Sequence, residues 1–284
     1  MVDVLQAGFY SSIQDLGRYG FQDYGVPYSG VMDEQAATIA NLLLGNNTKD
    51  AVLEMTIIGA KLKFECDTLI CLSGAYMNPQ LNKKPIKNNK VFKVHSGDVL
   101  SFGKLESGCR CYLSVLGGFK TEKVMESRSM YQHITAQSTI RKGDKLAIEP
   151  SSLKHERHYS NLRINSSYLL NSTLNVLKGP EFEKLSIKQQ EQVLNTNFTI
   201  SKLNNRMAYQ LESPIENSLE SIITSPVLPG TVQLTPSGKL IVLMRDCQTT
   251  GGYPRVMQLT KSALNVLGQK FVGQTVKFNI ISKF

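Results

Sequence analysis

Three stretches of this chain repeat one pattern, and that pattern narrows the folds open to it. Ser96-Gly97-Asp98-Val99-Leu100, Lys142-Gly143-Asp144-Lys145-Leu146 and Val272-Gly273-Gln274-Thr275-Val276 each place a glycine turn and a polar residue before an alternating strand. Small barrels use such tight turns to send the chain back into the sheet. We read a weak repeat of β-barrel units, not a solenoid.

The rest of the chain supports a mainly β fold with a few short helices. Leu62-Lys63-Phe64-Glu65-Cys66 alternates as a half-buried strand does. Leu69 to Leu72 reads as a buried strand closed by Ser73-Gly74-Ala75, and Cys111 to Val115 as another, while Asn78 to Asn89 is a polar excursion. Gly8 to Gly20 is dense in glycine and polar side chains without a helical period, which predicts an extended loop continued by Gly25 to Gly30. Met32, Ala36, Ile39, Ala40 and Leu43 then share one helical face, with Asp33 and Glu34 at the positive end and Gly45 as the stop. Later, Ser186-Ile187-Lys188-Gln189 has the form of a capping box, and Thr260 is placed to cap a last helix through Leu267.

Residues 151–173 are rich in Ser, Asn, His, Lys and Arg, with Leu169-Leu170 as an isolated apolar pair. They are expected to link an N-terminal β-barrel-like domain, 1–150, to a C-terminal β domain, 174–284. His155 and His158 are three apart in this linker, but no carboxylate or thiolate partner accompanies them, so no metal is expected.

Composition excludes several classes. The net charge of +9 is mild for 284 residues, and no basic cluster is interleaved with aromatics, which argues against nucleic acid as a partner. No run is apolar enough to span a bilayer, and the N-terminus lacks the basic and apolar regions of a signal peptide. Cys66, Cys71, Cys109, Cys111 and Cys247 are odd in number and mostly sit in apolar runs, as buried reduced thiols of a cytoplasmic protein do. Neither a Walker-type Gly-Lys-Ser/Thr nor a GxGxxG after a strand occurs, so no known phosphate loop for ATP is expected. Four histidines leave no readable Ser/His/Asp order.

The stretch richest in chemistry is Asp246-Cys247-Gln248-Thr249-Thr250-Gly251-Gly252-Tyr253-Pro254-Arg255, between two strand-like runs. Gly251 and Gly252 allow close ligand approach or φ > 0, and Arg255 offers a planar fork for a carboxylate or phosphate. A hairpin loop with a Gly-Gly turn is the alternative. With Gln248, Thr249, Thr250 and Tyr253 of the same stretch and Asp15, Arg18, Asp33, Arg128 and Arg206 on other loops, these residues suit a small polar amide or acid. Each arginine taken singly is also compatible with a structural ion pair.

These loops carry a resemblance. Ser12-Ile13-Gln14-Asp15-Leu16-Gly17-Arg18, Gly25-Val26-Pro27, Ser29-Gly30 with Asp33, Leu53-Glu54 and Leu72-Ser73-Gly74-Ala75 resemble the allophanate hydrolase subunit 2-like family. So do Gly117-Gly118, Ser127-Arg128-Ser129, Gly179-Pro180, Asn205-Arg206-Met207 and, most specifically, Gln248 to Pro254. The family includes the C subunit of bacterial ATP-dependent 5-oxoprolinase, Kip-type regulators, and half of the carboxyltransferase domain of biotin-dependent urea carboxylases. The resemblance implies cyclophilin-like β-barrel architecture and obligate partners, namely a B-like (Kip inhibitor-like) protein and an A-like protein of the same complex. It implies that this complex opens 5-oxoproline, a small cyclic amide, to L-glutamate at the expense of ATP. It adds Glu54 to the substrate-binding candidates and leaves the catalytic residues unassigned. The sequence holds no biotin-carrier Met-Lys-Met, and Tyr253 stands where the urea carboxylases carry Phe, so biotin is expected only in an alternative reading. That alternative is a carboxyltransferase acting on a small amide; a second is a Kip-type chain that binds the inhibitor of a histidine kinase.

Overall fold

The computed structural model describes residues 1–150, 164–217 and 219–281. His155, His158 and most of the linker read from the sequence lie outside the described residues. The chain divides into two compact units, 1–18 with 29–170, and 19–28 with 171–284. Residues 19–28, which chain order alone would assign to the first part, group with the second unit.

The first unit holds β1 (Val2–Gln6), β2 (Tyr10–Gln14), α1 (Glu34–Leu44), β3 (Val52–Thr56), β4 (Lys61–Phe64), β5 (Thr68–Tyr76), β6 (Gln80–Leu81), β7 (Lys84–Pro85), β8 (Val91–Val94), β9 (Val99–Ser101), β10 (Ser107–Val115) and β11 (Lys145–Leu146). They form two sheets, ordered β11-β1-β4-β9-β6-β7 and β2-β3-β10-β5-β8. Register explains why the central strands of the second sheet are buried on both faces. Ile13, Leu53, Leu113 and Leu72 are cross-strand partners on one face and sit in the main core. The row beside them, Ser12, Glu54, Tyr112 and Ser73, is also buried, with α1 packed over β5 and β10.

That second buried face corrects the reading of 8–20 as a loop: residues 10–14 are a strand. Its polar side chains are satisfied inside the fold, Ser11 Oγ donating to the Ala7 carbonyl at 2.6 Å and Gln14 Nε2 to Ser12 Oγ at 2.9 Å. Nor do Ser73-Gly74-Ala75 close their strand. They lie inside β5, where Gly74 takes φ 80° opposite a register shift in β10. The polar excursion contains the β6–β7 hairpin, turning on Asn82 and Lys83, both at positive φ.

The second unit holds β12 (Thr173–Lys178), α2 (Ile187–Asn195), β13 (Phe198–Asn204), β14 (Ala208–Leu211), β15 (Ser225–Pro226), β16 (Thr231–Leu234), β17 (Leu240–Leu243), β18 (Thr250–Gly251), β19 (Arg255–Leu259), α3 (Lys261–Gly268) and β20 (Thr275–Ile280). Seven of these strands close a barrel in the order β12-β19-β16-β17-β14-β13-β20, with β12 and β20 parallel at the closure. Leu174, Val176, Phe198, Val232, Val242 and Phe278 are among its buried side chains. The mainly β, cyclophilin-like reading therefore holds, with closure in this unit and two open sheets in the other.

Local signals place the helices. Asp33 caps α1 by accepting from the Ala36 N–H at 3.1 Å, and Gly45 ends it at φ 75°. The capping box of Ser186 and Gln189 starts α2, and Thr260 caps α3. Gly97, Gly143 and Gly273 each take positive φ ahead of β9, β11 and β20. Among the described residues no helix is long and apolar enough to cross a membrane.

Candidate functional site

The chain from Asp246 to Arg255 is not a hairpin loop. β17 and β19, which it joins, both pair with β16, which lies between them in the barrel. A two-residue turn cannot make that step, so the connection runs over the barrel end and is stitched to residues 222–227. Val227 N–H donates to the Thr249 carbonyl at 3.0 Å and Ile222 N–H to the Gly252 carbonyl at 2.9 Å, while β18 pairs with β15. Below, Gln233 is buried, with its Nε2 3.5 Å from the Tyr253 carbonyl, and Leu234 N–H donates to the Pro254 carbonyl at 3.0 Å.

Neither Gly251 nor Gly252 takes positive φ. Gly251 is closely packed instead: a Cβ there would lie 2.6 Å from Gln233 Nε2, and that side chain would have to shift. Gly252 has only the Ile222 carbonyl nearby, 3.5 Å from where its Cβ would be. Gln248 and Thr249 are half-buried, whereas Thr250 and Tyr253 are exposed, Tyr253 by 40%.

Arginine–carboxylate pairs hold both ends of this block. Arg206 grips Asp246 bidentately, Nε to Oδ2 at 2.8 Å and Nη2 to Oδ1 at 3.1 Å. Both side chains are nearly buried. Arg255 closes in the same way on Glu181, and its Nη1 donates to the Pro226 carbonyl at 3.3 Å. The fork that the sequence offered to a ligand is thus directed at Glu181. Burial raises the Glu181 carboxyl, but hydrogen bonds from the Arg255 side chain and backbone outweigh it and hold the group below the usual carboxylate range. The Arg255 guanidinium is raised by its hydrogen bond to Glu181. Glu181 follows Gly179-Pro180, and a Cβ at Gly179 would run into the Arg255 carbonyl. Here the motif glycine lets two strands meet.

Residues 19–28 contribute Tyr19 and Tyr28, edge to face with ring centroids 5.4 Å apart. Burial raises the Tyr28 phenol, with smaller contributions from Tyr19 and Cys247. The Cys247 thiol, 1% exposed, is pushed up to about 12 by burial and then by Asp246.

The remaining candidates belong to the first unit and form two groups. Asp15 accepts four hydrogen bonds: from Gly17 N–H (2.9 Å), Ser127 Oγ (2.7 Å), Ser129 Oγ (2.6 Å) and Arg128 N–H (2.6 Å). Arg18 is fully buried, with Nε donating to the Val124 carbonyl at 3.1 Å and Nη2 to the Ser129 carbonyl at 2.9 Å. Asp15 and Arg18 therefore tie the end of β2 to Ser127-Arg128-Ser129. The Arg128 side chain donates to the Thr121 carbonyl.

The second group surrounds the start of α1. Asp33 accepts from Tyr168 Oη at 2.6 Å, and its N–H donates to Tyr112 Oη at 2.8 Å. Glu54 accepts from Met32 N–H at 2.8 Å and lies 3.7 Å from Arg110 Nε. Burial raises the phenols of Tyr112 and Tyr168, and nearby carboxylates reinforce it: Glu54 then Asp33 for Tyr112, Asp33 for Tyr168. Among the described residues no three His, Cys, Asp or Glu side chains gather into a metal site.

Sequence reasoning named both arginines but missed their partners, Glu181 and Asp246. The available signal was position: Glu181 directly follows Gly179-Pro180, and Asp246 opens the specific block. No comparable signal marked Gln233, Tyr112 or Tyr168.

A family model for the carboxyltransferase domain, subdomain A and B, matches residues 24–280. The chain is 31% identical over 284 residues to the 5-oxoprolinase C subunit of Escherichia coli strain K12, covering 98% of this chain and 90% of that protein. Among solved structures, the K. lactis urea amidolyase matches 99% of this chain at a TM-score of 0.88 and 28% identity. TTHA0988 matches 98% at a TM-score of 0.86 and 25% identity. The chain spans 19% of the first solved protein and 55% of the second.

Proposed function

Because the chain belongs to the family of carboxyltransferase domains with subdomains A and B, we propose that it serves as the C subunit of an ATP-dependent 5-oxoprolinase. In this reading it works with B-like and A-like partner proteins to open 5-oxoproline to L-glutamate. The observation that carries it is the similarity to the Escherichia coli protein of that name along nearly the whole of both chains.

The chemistry is demanding because a lactam carbonyl is a poor electrophile. Transfer of the γ-phosphoryl group of ATP to the lactam oxygen, releasing ADP, makes that carbon reactive. Water adds to it, the C–N bond breaks to free the amine, and a second water splits the resulting acyl phosphate into glutamate and phosphate. Each step develops charge on oxygen, which donors held rigidly in place stabilise best. ATP is assigned to the assembled complex and not to a phosphate loop of this chain.

The geometry redistributes the roles suggested by sequence. Gly251 and Gly252 let substrate or partner approach the backbone, and the exposed Thr250 and Tyr253 side chains meet it. Arg255 and Arg206 position the block through Glu181 and Asp246. Asp15, Arg18, Asp33 and Glu54 hold the loops of the first unit.

The test is ATP-dependent glutamate release from 5-oxoproline by this chain alone, with its B-like partner, and with all three proteins together. Release in the complete mixture alone is expected. A stable complex without glutamate would overturn the proposal and bring a regulatory role, or another amide, to the front. A second reading draws on the urea amidolyase likeness: a biotin-dependent carboxyltransferase acting on a small amide. Inhibition of the activity by avidin would identify it.

A further inference from the structure

A cleft of about 390 Å³ opens in the first unit between residues 120–137 and the segment around β11. That size suits a small molecule. Lys120, Arg128 and Lys145 line it against Glu122 and Asp144, three cations to two anions, an excess of one positive charge. Asp144 is already engaged, its Oδ2 accepting from the Arg141 N–H at 2.7 Å. Lys120 lies 3.3 Å from Glu149, a carboxylate 68% exposed, in a pairing that water weakens. Among the described residues no carboxylate pairs with the Arg128 guanidinium, whose side-chain bond goes to the Thr121 carbonyl. Thr121 also lines the cleft. Met130 and Leu146, both largely buried, supply an apolar wall.

We propose that this cleft binds a small organic monocarboxylate. Arg128 and Lys120 take the carboxylate, and Met130 and Leu146 cover the compact apolar body. The apolar wall favours an organic acid over inorganic phosphate. The site is independent of the reaction proposed above, since it rests on this unit alone.

The test follows the Met130 methyl group by NMR in the full chain, with Met130→Leu identifying its signal. Three probes are titrated: 5-oxoproline, cyclopentanecarboxylate (a ring acid without the lactam) and 2-pyrrolidinone (the lactam without the acid). Both acids are expected to move the Met130 signal saturably and 2-pyrrolidinone to leave it in place. Arg128→Gln and Lys120→Gln are each expected to weaken the acids at least tenfold, equivalent to about 1.4 kcal/mol. Should Arg128→Gln fail to fold, Lys120→Gln carries the test, because Lys120 is one-third exposed. No response to either acid, an equal response to 2-pyrrolidinone, displacement by inorganic phosphate at equal concentration, or unchanged binding by Lys120→Gln would overturn the proposal.

Discussion

Arg255 and Glu181 meet through three hydrogen bonds: Nε to Oε2 at 3.1 Å, Nη2 to Oε1 at 3.0 Å, and the Arg255 backbone N–H to Oε2 at 2.8 Å. A carboxylate 74 residues upstream thereby fixes both the side chain and the backbone where the specific block re-enters the barrel. The arginine positions the loop, and the energetic consequences follow from how little water reaches the pair.

Removing one partner strands the other. Arg255→Ala and Glu181→Ala should each cost about 2–3 kcal/mol, since hydrogen bonds to charged groups are lost and a mostly buried charge is left behind. Replacing both by Met should cost less than the sum. Urea denaturation of the single and double variants measures this, and additive costs would contradict the pairing. In the assembled complex Arg255→Lys should lower turnover, because an ammonium cannot make the fork.

The same pair sets an acid sensitivity. Glu181 is held below its unfolded value of about 4.3, so its contribution is complete above that pH and is lost as pH falls through the folded value. The urea midpoint should fall on acidification in that window. Glu181→Gln should flatten this part of the profile, and an unaltered acid limb would show that Glu181 is not responsible.

The Arg206–Asp246 pair is drier, with side-chain exposures of 6% and 8%. Asp246→Ala should therefore cost about 3–5 kcal/mol, the range for breaking a buried ion pair. Asp246→Asn, which keeps the shape and one acceptor, should cost less. Thermal unfolding of the two variants checks the order.

Three motif glycines should respond differently to alanine. Gly179→Ala drives a Cβ into the Arg255 carbonyl, backbone that cannot move aside, and should be the most damaging. Gly251→Ala displaces the Gln233 side chain and should cost about 1–3 kcal/mol, as overpacking does. Gly252→Ala meets only ordinary contact, outside the left-handed region, and should be neutral or stabilising by about 0.4–1 kcal/mol. A Gly252→Ala variant as unstable as Gly179→Ala would reject this ranking.

The thiols should separate by burial. Cys71 and Cys247 are pushed up to about 12 and Cys111 is raised further, in each case chiefly by burial, whereas Cys66 is half-exposed. Iodoacetamide at pH 8 should label Cys66 in the native protein and the buried cysteines only after unfolding. Mass mapping of the labelled sites reads this directly.

Wherever the physics is local, the amino-acid sequence determined the outcome by itself. Asp33 and Gly45 bound α1, Ser186 with Gln189 starts α2, and Thr260 starts α3, because caps and stops act over three or four residues. The glycine turns at 97, 143 and 273 and the motifs that mark the family were legible for the same reason. Polar β2 was not, because its hydroxyls and amide are satisfied inside a fold that local reading cannot see. Tertiary structure alone decided that β16 stands between β17 and β19, so that the Gly-Gly block crosses over instead of turning back. It also decided which carboxylate each arginine meets, 40 residues away for Arg206 and 74 for Arg255. Such contacts depend on strand register and barrel closure, which no window of neighbouring residues contains.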